Sequence, residues 1–294
     1  MVIKRSTSGA VFDWLNYIFM VLLMLICVYP LYYVLVASLS DSNLLAAHRG
    51  FLLAPLGFNL DSYKAVVEYP IITQGYLNTI IIVAVGVSLN LILTMFGAYF
   101  LSLRGISLKG PVMLLIMFTM FFSGGLIPFY MTVRGLGLYD TYAALILPGA
   151  VSTYNLIIMR TAFMDIPPAL KESAEIDGAN DLVVLFRIIL PVTMPTVAVI
   201  ILYYGVGHWN SWFNAQIFLK SRKLYPIQLV LREILLNNEQ KAGMISSVME
   251  GDKPQIGETI KYATVIAATA PILAIYPFLQ KYFVKGIMVG SVKG

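Results

Sequence analysis

The chain has 294 residues, 59% of them apolar and 12% charged, with a mean hydropathy of +0.81. Apolar residues at this level, gathered into long blocks, exclude an ordinary soluble domain and describe a membrane protein. The net charge of +5 and pI near 9.1 would suggest nucleic acid in a soluble chain; in a membrane chain, basic residues belong at cytoplasmic and headgroup surfaces, so no nucleic-acid partner is expected.

A helix crosses the hydrocarbon in about 20 residues, and the apolar blocks predict six spans, at 14–39, 71–103, 111–128, 142–163, 182–207 and 259–283. The first block is too long for a signal-peptide core and lacks a small-residue cleavage pattern, so it is expected to be retained. It contains Cys27, the chain's single cysteine, which excludes an internal disulfide and a multi-cysteine metal site. The second block is too long to stand upright and must tilt or protrude. Its Asn78, Asn90 and Thr94 should face protein, because an amide in lipid needs a partner. His48 and His208 lie far apart in sequence and suggest no metal centre.

With a cytoplasmic N-terminus, Lys4, Arg5, Arg104, Lys109, Arg160, Lys171 and Arg187 fall inside, against Arg49, Lys64 and Arg134 outside. Short connections obey the positive-inside rule best, so this orientation is preferred, although the long connection 208–258 places further basic residues outside. No repeat, hydrophilic domain, nucleotide-binding glycine loop or histidine–carboxylate cluster is visible. Uphill transport would draw on an ion gradient or on a partner's ATP.

Between the fourth and fifth blocks lies "KESAEIDGANDLVVLFRIILPVTMP", 171–195. Pro167 or Pro168 suits a helix's first turn, and Glu172 and Glu175 follow three apart on neighbouring parts of one face. The predicted helix runs from Ala169 to about Ile176 and ends near Gly178, a residue suited to positive φ. Two turns are marginal alone and need a host surface. Ser173, Ala174 and Ala179 are small enough for close backbone approach, and Pro191 and Pro195 interrupt the helix that follows. Taken singly, the glutamates also fit a hydrated loop and the prolines a simple bend.

Taken in order, "ESAEIDGANDLVVLFRIILP" resembles the cytoplasmic loop of the permease subunits of binding-protein-dependent ABC importers. Glu172, Ala174, Asp177, Gly178, Ala179, Phe186, Ile188, Leu190 and Pro191 match that pattern, and Ser173 replaces its usual alanine. "GAYFLSLRG" (97–105) and "HWNSWFNAQIFL" (208–219) resemble segments of the small, maltose-type permeases. "LYPIQLVLREIL" (224–235) and "YPFLQKYFVKGIMVGSVKG" (276–294) resemble most closely the subgroup importing oligosaccharides from complex polysaccharides, alginate fragments among them.

The resemblance implies an all-α polytopic membrane protein of the type I ABC importer permease fold, with one transmembrane domain over 1–294. A cytoplasmic coupling segment at about 165–181 and an outer connection at about 208–258 would complete it. The implied site in the inner membrane, with both termini cytoplasmic, agrees with the charge asymmetry. The implied partners are a second, different permease, two ATPase subunits and an extracellular or periplasmic solute-binding protein. ATP and Mg would be bound by the ATPase, so this chain is expected to be no enzyme and to hold no cofactor. Glu172, Ser173, Ala174, Asp177, Gly178, Ala179 and Pro191 would form the ATPase-coupling set, with Glu172 paired to a basic residue there. Trp209, Asn210 and Trp212 would meet the binding protein, or the tryptophans would anchor at the membrane surface.

For the sugar path, polar and aromatic residues of the spans are the natural choice: Asn78, Asn90, Tyr154, Asn155 and Tyr204. Ring faces would cover sugar C–H faces and amides would satisfy hydroxyls. A basic outer connection suits an acidic oligosaccharide such as an alginate fragment. The competing class, an ion-coupled secondary transporter, needs a charged site at mid-membrane, and the predicted spans place no acid there.

Overall fold

The computed structural model describes residues 7–244 and 256–291, which form helices and turns with no strand among them. In chain order the helices are α1 Thr7–Ser38, α2 Ser42–Ala47, α3 Asp61–Glu68, α4 Pro70–Ser102, α5 Lys109–Phe121, α6 Leu126–Gly135, α7 Ala143–Ile146, α8 Thr153–Met164, α9 Pro168–Ile176, α10 Asp181–Val183, α11 Leu190–Val192, α12 Met194–Trp209, α13 Phe213–Phe218, α14 Ile227–Met244 and α15 Ile256–Ser291. A π-helical turn, Val184–Ile189, joins α10 to α11, and a 3-10 turn, Arg222–Leu224, precedes α14.

The chain divides into two compact units, Met1–Tyr69 with Glu233–Thr269, and Pro70–Arg232 with Ala270–Gly294. In the first, Val36, Ala37, Leu45 and Leu52 make a small core with Tyr33 and Tyr262 against it. Asp41 caps α2 by accepting from the amides of Asn43 and Leu44 at 2.9 and 3.2 Å. Ser62 donates to the Thr259 hydroxyl at 2.7 Å. The apolar side chains of α1 from Val11 to Leu31 stand largely exposed, as suits a surface meant for lipid or another membrane chain.

Six uninterrupted spans do not emerge. Among the described residues two helices are long and apolar enough to cross a membrane, within α1 and over α4, and up to four if each of two bent pairs is one span. The predicted span 111–128 is broken: α5 and α6 meet at 117°, and Gly125, at φ +83°, makes the corner. The predicted span 142–163 divides into α7 and α8 around residues 147–152. The predicted span 182–207 bends by 87° between α11 and α12. Pro191 and Pro195 flank that corner and lack the amide donors an unbroken helix would use; the Thr193 hydroxyl donates to the Ile189 carbonyl at 2.8 Å. The predicted span 259–283 falls within α15, which carries Pro271 and Pro277. The outer connection 208–258 is largely helical, beginning inside α12 and continuing through α13 and α14, and its residues 245–255 lie outside those described.

The second unit is organised around α4. Its 33 residues extend about 50 Å, and one stripe is buried along the whole length: Gly75, Thr79, Ile82, Gly86, Asn90, Thr94, Ala98 and Leu101. Steps of three and four keep these residues on one face. A Cβ on Gly75 would stand 3.3 Å from the Ile227 backbone, so the small residue sets how closely α14 can approach. Toward its C-terminal end α4 joins the main core, where Met95, Ala98, Tyr99 and Leu101 pack with Leu156, Met159, Val184, Leu185 and Ile200.

Candidate functional site: a polar cavity and a coupling helix

Two places in the second unit carry the residues singled out above. The first is a cavity of about 500 Å³ walled by α4, α8, α12 and the 147–152 break. Asn90, Tyr154, Asn155 and Tyr204 all lie on its wall, joined by Ser152, Tyr203, His208 and Asn214. Among the described residues no Lys, Arg, Asp or Glu lines it. Non-helical backbone among membrane helices persists where it lines a cavity, and Gly149 and Ser152 of the break do so.

Hydrogen bonds hold the wall together. The Tyr204 hydroxyl accepts from the Ser152 amide at 3.0 Å and shares a 2.7 Å bond with the Thr94 hydroxyl, tying α12 to α8 and α4. Ser152 caps α8, accepting from the Asn155 amide at 3.4 Å. Asn90 bonds His208 Nε2 at 3.0 Å. Tyr154 is exposed, and its ring lies 6.1 Å from that of Tyr203, so the two rings form an aromatic edge to the cavity.

Asn78 is elsewhere. It is fully buried, donates to the carbonyls of Lys223 and Tyr225 at 2.7 and 2.9 Å, and accepts from Gln74 and from the Tyr142 hydroxyl at 2.8 Å each. Its amide is consumed in fastening the segment before α14 to α4, so it is a structural bracket and not a cavity residue. Trp209 also departs from expectation: only 9% exposed, with its ring 6.4 Å from that of Tyr76, it is a core residue. Asn210 ends α12 as its exposed C-cap, and Trp212 lies flat under the Arg232 guanidinium at 3.6 Å.

The second place is α9. Pro168 occupies its first turn, and a Schellman motif ends it: the Ala179 amide donates to the Ala174 carbonyl at 2.9 Å and the Gly178 amide to Glu175 at 3.1 Å, with Gly178 at φ +83°. Its small residues divide by direction. Ala174 is buried and Ala179, half-buried, packs on the same core, so both contact this chain's own interior. Glu172, Ser173, Ile176 and Asp177 face outward, Ile176 with 85% of its surface exposed. Lys171 pairs with Glu175 at 3.5 Å. Beside α9 a cavity of about 470 Å³ is lined by Arg104, Lys109, Lys171, Glu172 and Glu175. Pro191 is not on this helix; it stands at the 87° corner, where it shapes the element that α9 would move.

Sequence reasoning missed His208 and Gly86. A Cβ on Gly86 would lie 2.6 Å from His208 Nε2, so the glycine makes the ring's seat. The signal was the spacing: Gly86 and Asn90 are four apart on one face of α4, a place for one bulky polar group from a facing helix.

At the α6–α7 connection, Asp140 has φ +60°. Its carboxylate accepts from the amides of Lys220 and Ser221, both at 2.8 Å, and from the Ser221 hydroxyl at 2.6 Å. Those bonds, the Ser221 side chain first, hold its pKa below the usual carboxylate range.

No family model matches the sequence. The chain is 40% identical over 294 residues, covering 98% of itself and all of the relative, to the polygalacturonan/rhamnogalacturonan transport system permease protein YtcP of Bacillus subtilis (strain 168). It is 40% identical over 290 residues, 99% of itself and 97% of the relative, to protein LplC of the same organism. Among solved structures, it matches a chain of a bacterial ABC transporter involved in the import of the acidic polysaccharide alginate with a TM-score of 0.86 and 31% identity, over 95% of this chain and 99% of that one.

Proposed function

The chain belongs to the permease subunits of ABC-type sugar importers, non-catalytic membrane components that work with an ATPase and a solute-binding protein, and from that premise we propose that it passes acidic oligosaccharides of the pectin or alginate kind into the cytoplasm. In this reading it crosses the inner membrane six times with both termini inside, beside a second, different permease and above two ATPase subunits. The polar cavity between α4, α8 and α12 is this chain's share of the path. The single observation carrying the reading is that cavity, where four of the five residues chosen for sugar contact meet around a break in the membrane helices.

Coupling follows from connectivity. The outward side chains of α9, Glu172 and Ile176 foremost, dock in a cleft of one ATPase subunit. Closure of the ATPase dimer on ATP displaces α9. Residues 177–180 join it to α10, and the displacement reaches the 87° corner and then α12, which carries Tyr204 and His208 on the cavity wall. A switch needs a moving element and a site that differs between states; α9 and the α12 wall supply the two. On the outer side, the stretch 210–232 with Lys220, Arg222 and Lys223 receives the loaded binding protein, and its basic residues favour an anionic sugar.

The test is uptake by proteoliposomes holding the complete importer, given binding protein loaded with oligogalacturonide, alginate oligosaccharide or a neutral monosaccharide. ATP-dependent uptake of an acidic oligosaccharide is expected; uptake of the monosaccharide alone, or uptake driven by a proton or sodium gradient without ATP, refutes the assignment.

A further inference from the structure

The transport reading above leaves open how an uncharged wall would select a sugar, and this inference rests on that reading. We propose that Asn90 and His208, with the ring seated on Gly86, form a hydroxyl-reading pair that sets sugar specificity in this chain's half of the cavity.

The geometry is specific. Asn90 lies on α4 and His208 at the end of α12, and both line the cavity. Their bond, 3.0 Å long, uses one polar atom of the amide and Nε2 of the ring. Asn90 is 1% exposed, and its Oδ1 is buried with no partner among the described residues. Turning the amide over only exchanges which of its two polar atoms is stranded. A stranded amide atom in a membrane helix is costly unless something arrives to pair with it.

With Nε2 accepting from Asn90, the ring proton sits on Nδ1. The pair then offers an acceptor, Oδ1 after a small rotation of the amide, and a donor, Nδ1–H. One sugar hydroxyl, or two on adjacent carbons, can answer both, since a hydroxyl donates once and accepts twice. A carboxylate can answer only the donor. As no cationic side chain among the described residues lines this wall, the pair reads the part of an acidic sugar that neutral sugars share.

Gly86 belongs to the device because any larger residue there would press on Nε2 from 2.6 Å. Tyr204 plays a different part, since its hydroxyl is already held by Thr94 and Ser152.

The experiment uses the complete importer in proteoliposomes at saturating binding protein, with an oligogalacturonide and a panel of analogues each lacking one ring hydroxyl. The wild type is expected to take up at least one deoxy analogue roughly three- to ten-fold more slowly than the parent, the size of one hydrogen bond. Asn90→Ala and Gly86→Ala are expected to slow the parent by a similar factor and to lose the penalty for that same analogue. His208→Gln, which keeps an amide donor and acceptor at the position, is expected to retain part of it. Co-purification with the partner permease and ATPase shows that each variant is assembled, and Gly86→Ala disturbs the ring while leaving both polar side chains present. Parent uptake slowed with the deoxy penalty unchanged assigns the pair a merely structural role and overturns the proposal, as does a wild type that ignores every missing hydroxyl. A wild type that takes up no oligogalacturonide at all overturns instead the substrate reading beneath it.

Discussion

Gly178 concentrates the coupling mechanism in one pair of dihedral angles. It closes the Schellman motif at φ +83°, and a Cβ there would meet nothing within 4 Å, so a substitution is opposed by backbone strain alone. A β-branched residue in that region costs about 1–2 kcal/mol, enough to unwind a helix of nine residues at its C-terminal end. Gly178→Val is therefore expected to insert in the membrane but to abolish sugar-stimulated uptake, either by weakening ATPase association or by uncoupling hydrolysis from transport. Gly178→Asn, which tolerates positive φ, should retain most activity. Uptake in proteoliposomes beside co-purification of the ATPase checks both; normal values for the valine variant would remove α9 from the mechanism. Glu172→Ala should act in the same direction and more weakly, since it removes one contact of α9 and leaves the helix itself intact, and an ion pair at the solvated rim of the cleft contributes little. Asp140 carries a pH dependence. Its pKa in the folded protein is depressed by Ser221 and the amides of Lys220 and Ser221. Its contribution to stability is fully present above the unfolded value of about 3.9 and is lost as pH falls through the folded value. Acid should release the 219–221 segment before the rest of the unit, read as protease cleavage there below about pH 4, and Asp140→Asn should remove that dependence.

Among the elements, α9 was legible in detail because local chemistry decides it: proline at the start, glycine in left-handed conformation at the end, and two turns between. The existence of α1 and α4 was legible from length and apolar content. The breaks were not. Apolar runs at 111–128 and 142–163 read as continuous because hydropathy does not register a corner. The corner at Gly125 is a left-handed glycine inside an apolar run, and the unwound 147–152 segment is held by a tertiary contact, Ser152 with Tyr204. Four cavity residues were found because polar groups in apolar helices need partners. The same rule misled for Asn78, since a protein bracket satisfies an amide as well as a sugar does. What separates Asn78 from Asn90 is the partner across the stripe, two backbone carbonyls for one and His208 for the other, and sequence spacing does not show which. The α4 stripe predicts its own test. Thr79 accepts the Ile227 amide at 2.9 Å in a fully buried position, so Thr79→Val keeps the volume and strands that amide. The expected loss is about 1–3 kcal/mol, seen as a lower midpoint of thermal unfolding in detergent, with a larger loss for Asn78→Leu. An unchanged midpoint in both would show that α14 does not depend on α4 for its start.

At the scale of the whole molecule the mechanism turns on which end of the second unit faces the cytoplasm. The proposal sends α9 inward and the stretch around Asp140 and Ser221 outward, an arrangement that agrees with the basic residues of the short connections, Arg104, Lys109, Arg160, Lys171 and Arg187, on the α9 side. The chain's single cysteine makes this directly measurable. Cys27, exposed on α1, can be replaced by serine, and one new cysteine placed at Ile176, 85% exposed on α9, or at the exposed Lys220. A maleimide that cannot cross the bilayer should label Lys220→Cys in right-side-out vesicles and Ile176→Cys in inside-out vesicles stripped of the ATPase. Restoring the ATPase should then protect Ile176→Cys, because a side chain buried in its cleft cannot react, while Lys220→Cys is unaffected. Binding protein loaded with sugar should protect Lys220→Cys in turn, if the basic outer stretch receives it. Labelling of Ile176→Cys from the outer side would invert the topology. Correct sidedness without protection by the ATPase would keep the topology but move the docking surface away from Ile176, toward the charged cavity on the other side of α9 where Arg104, Lys109, Lys171 and Glu172 converge.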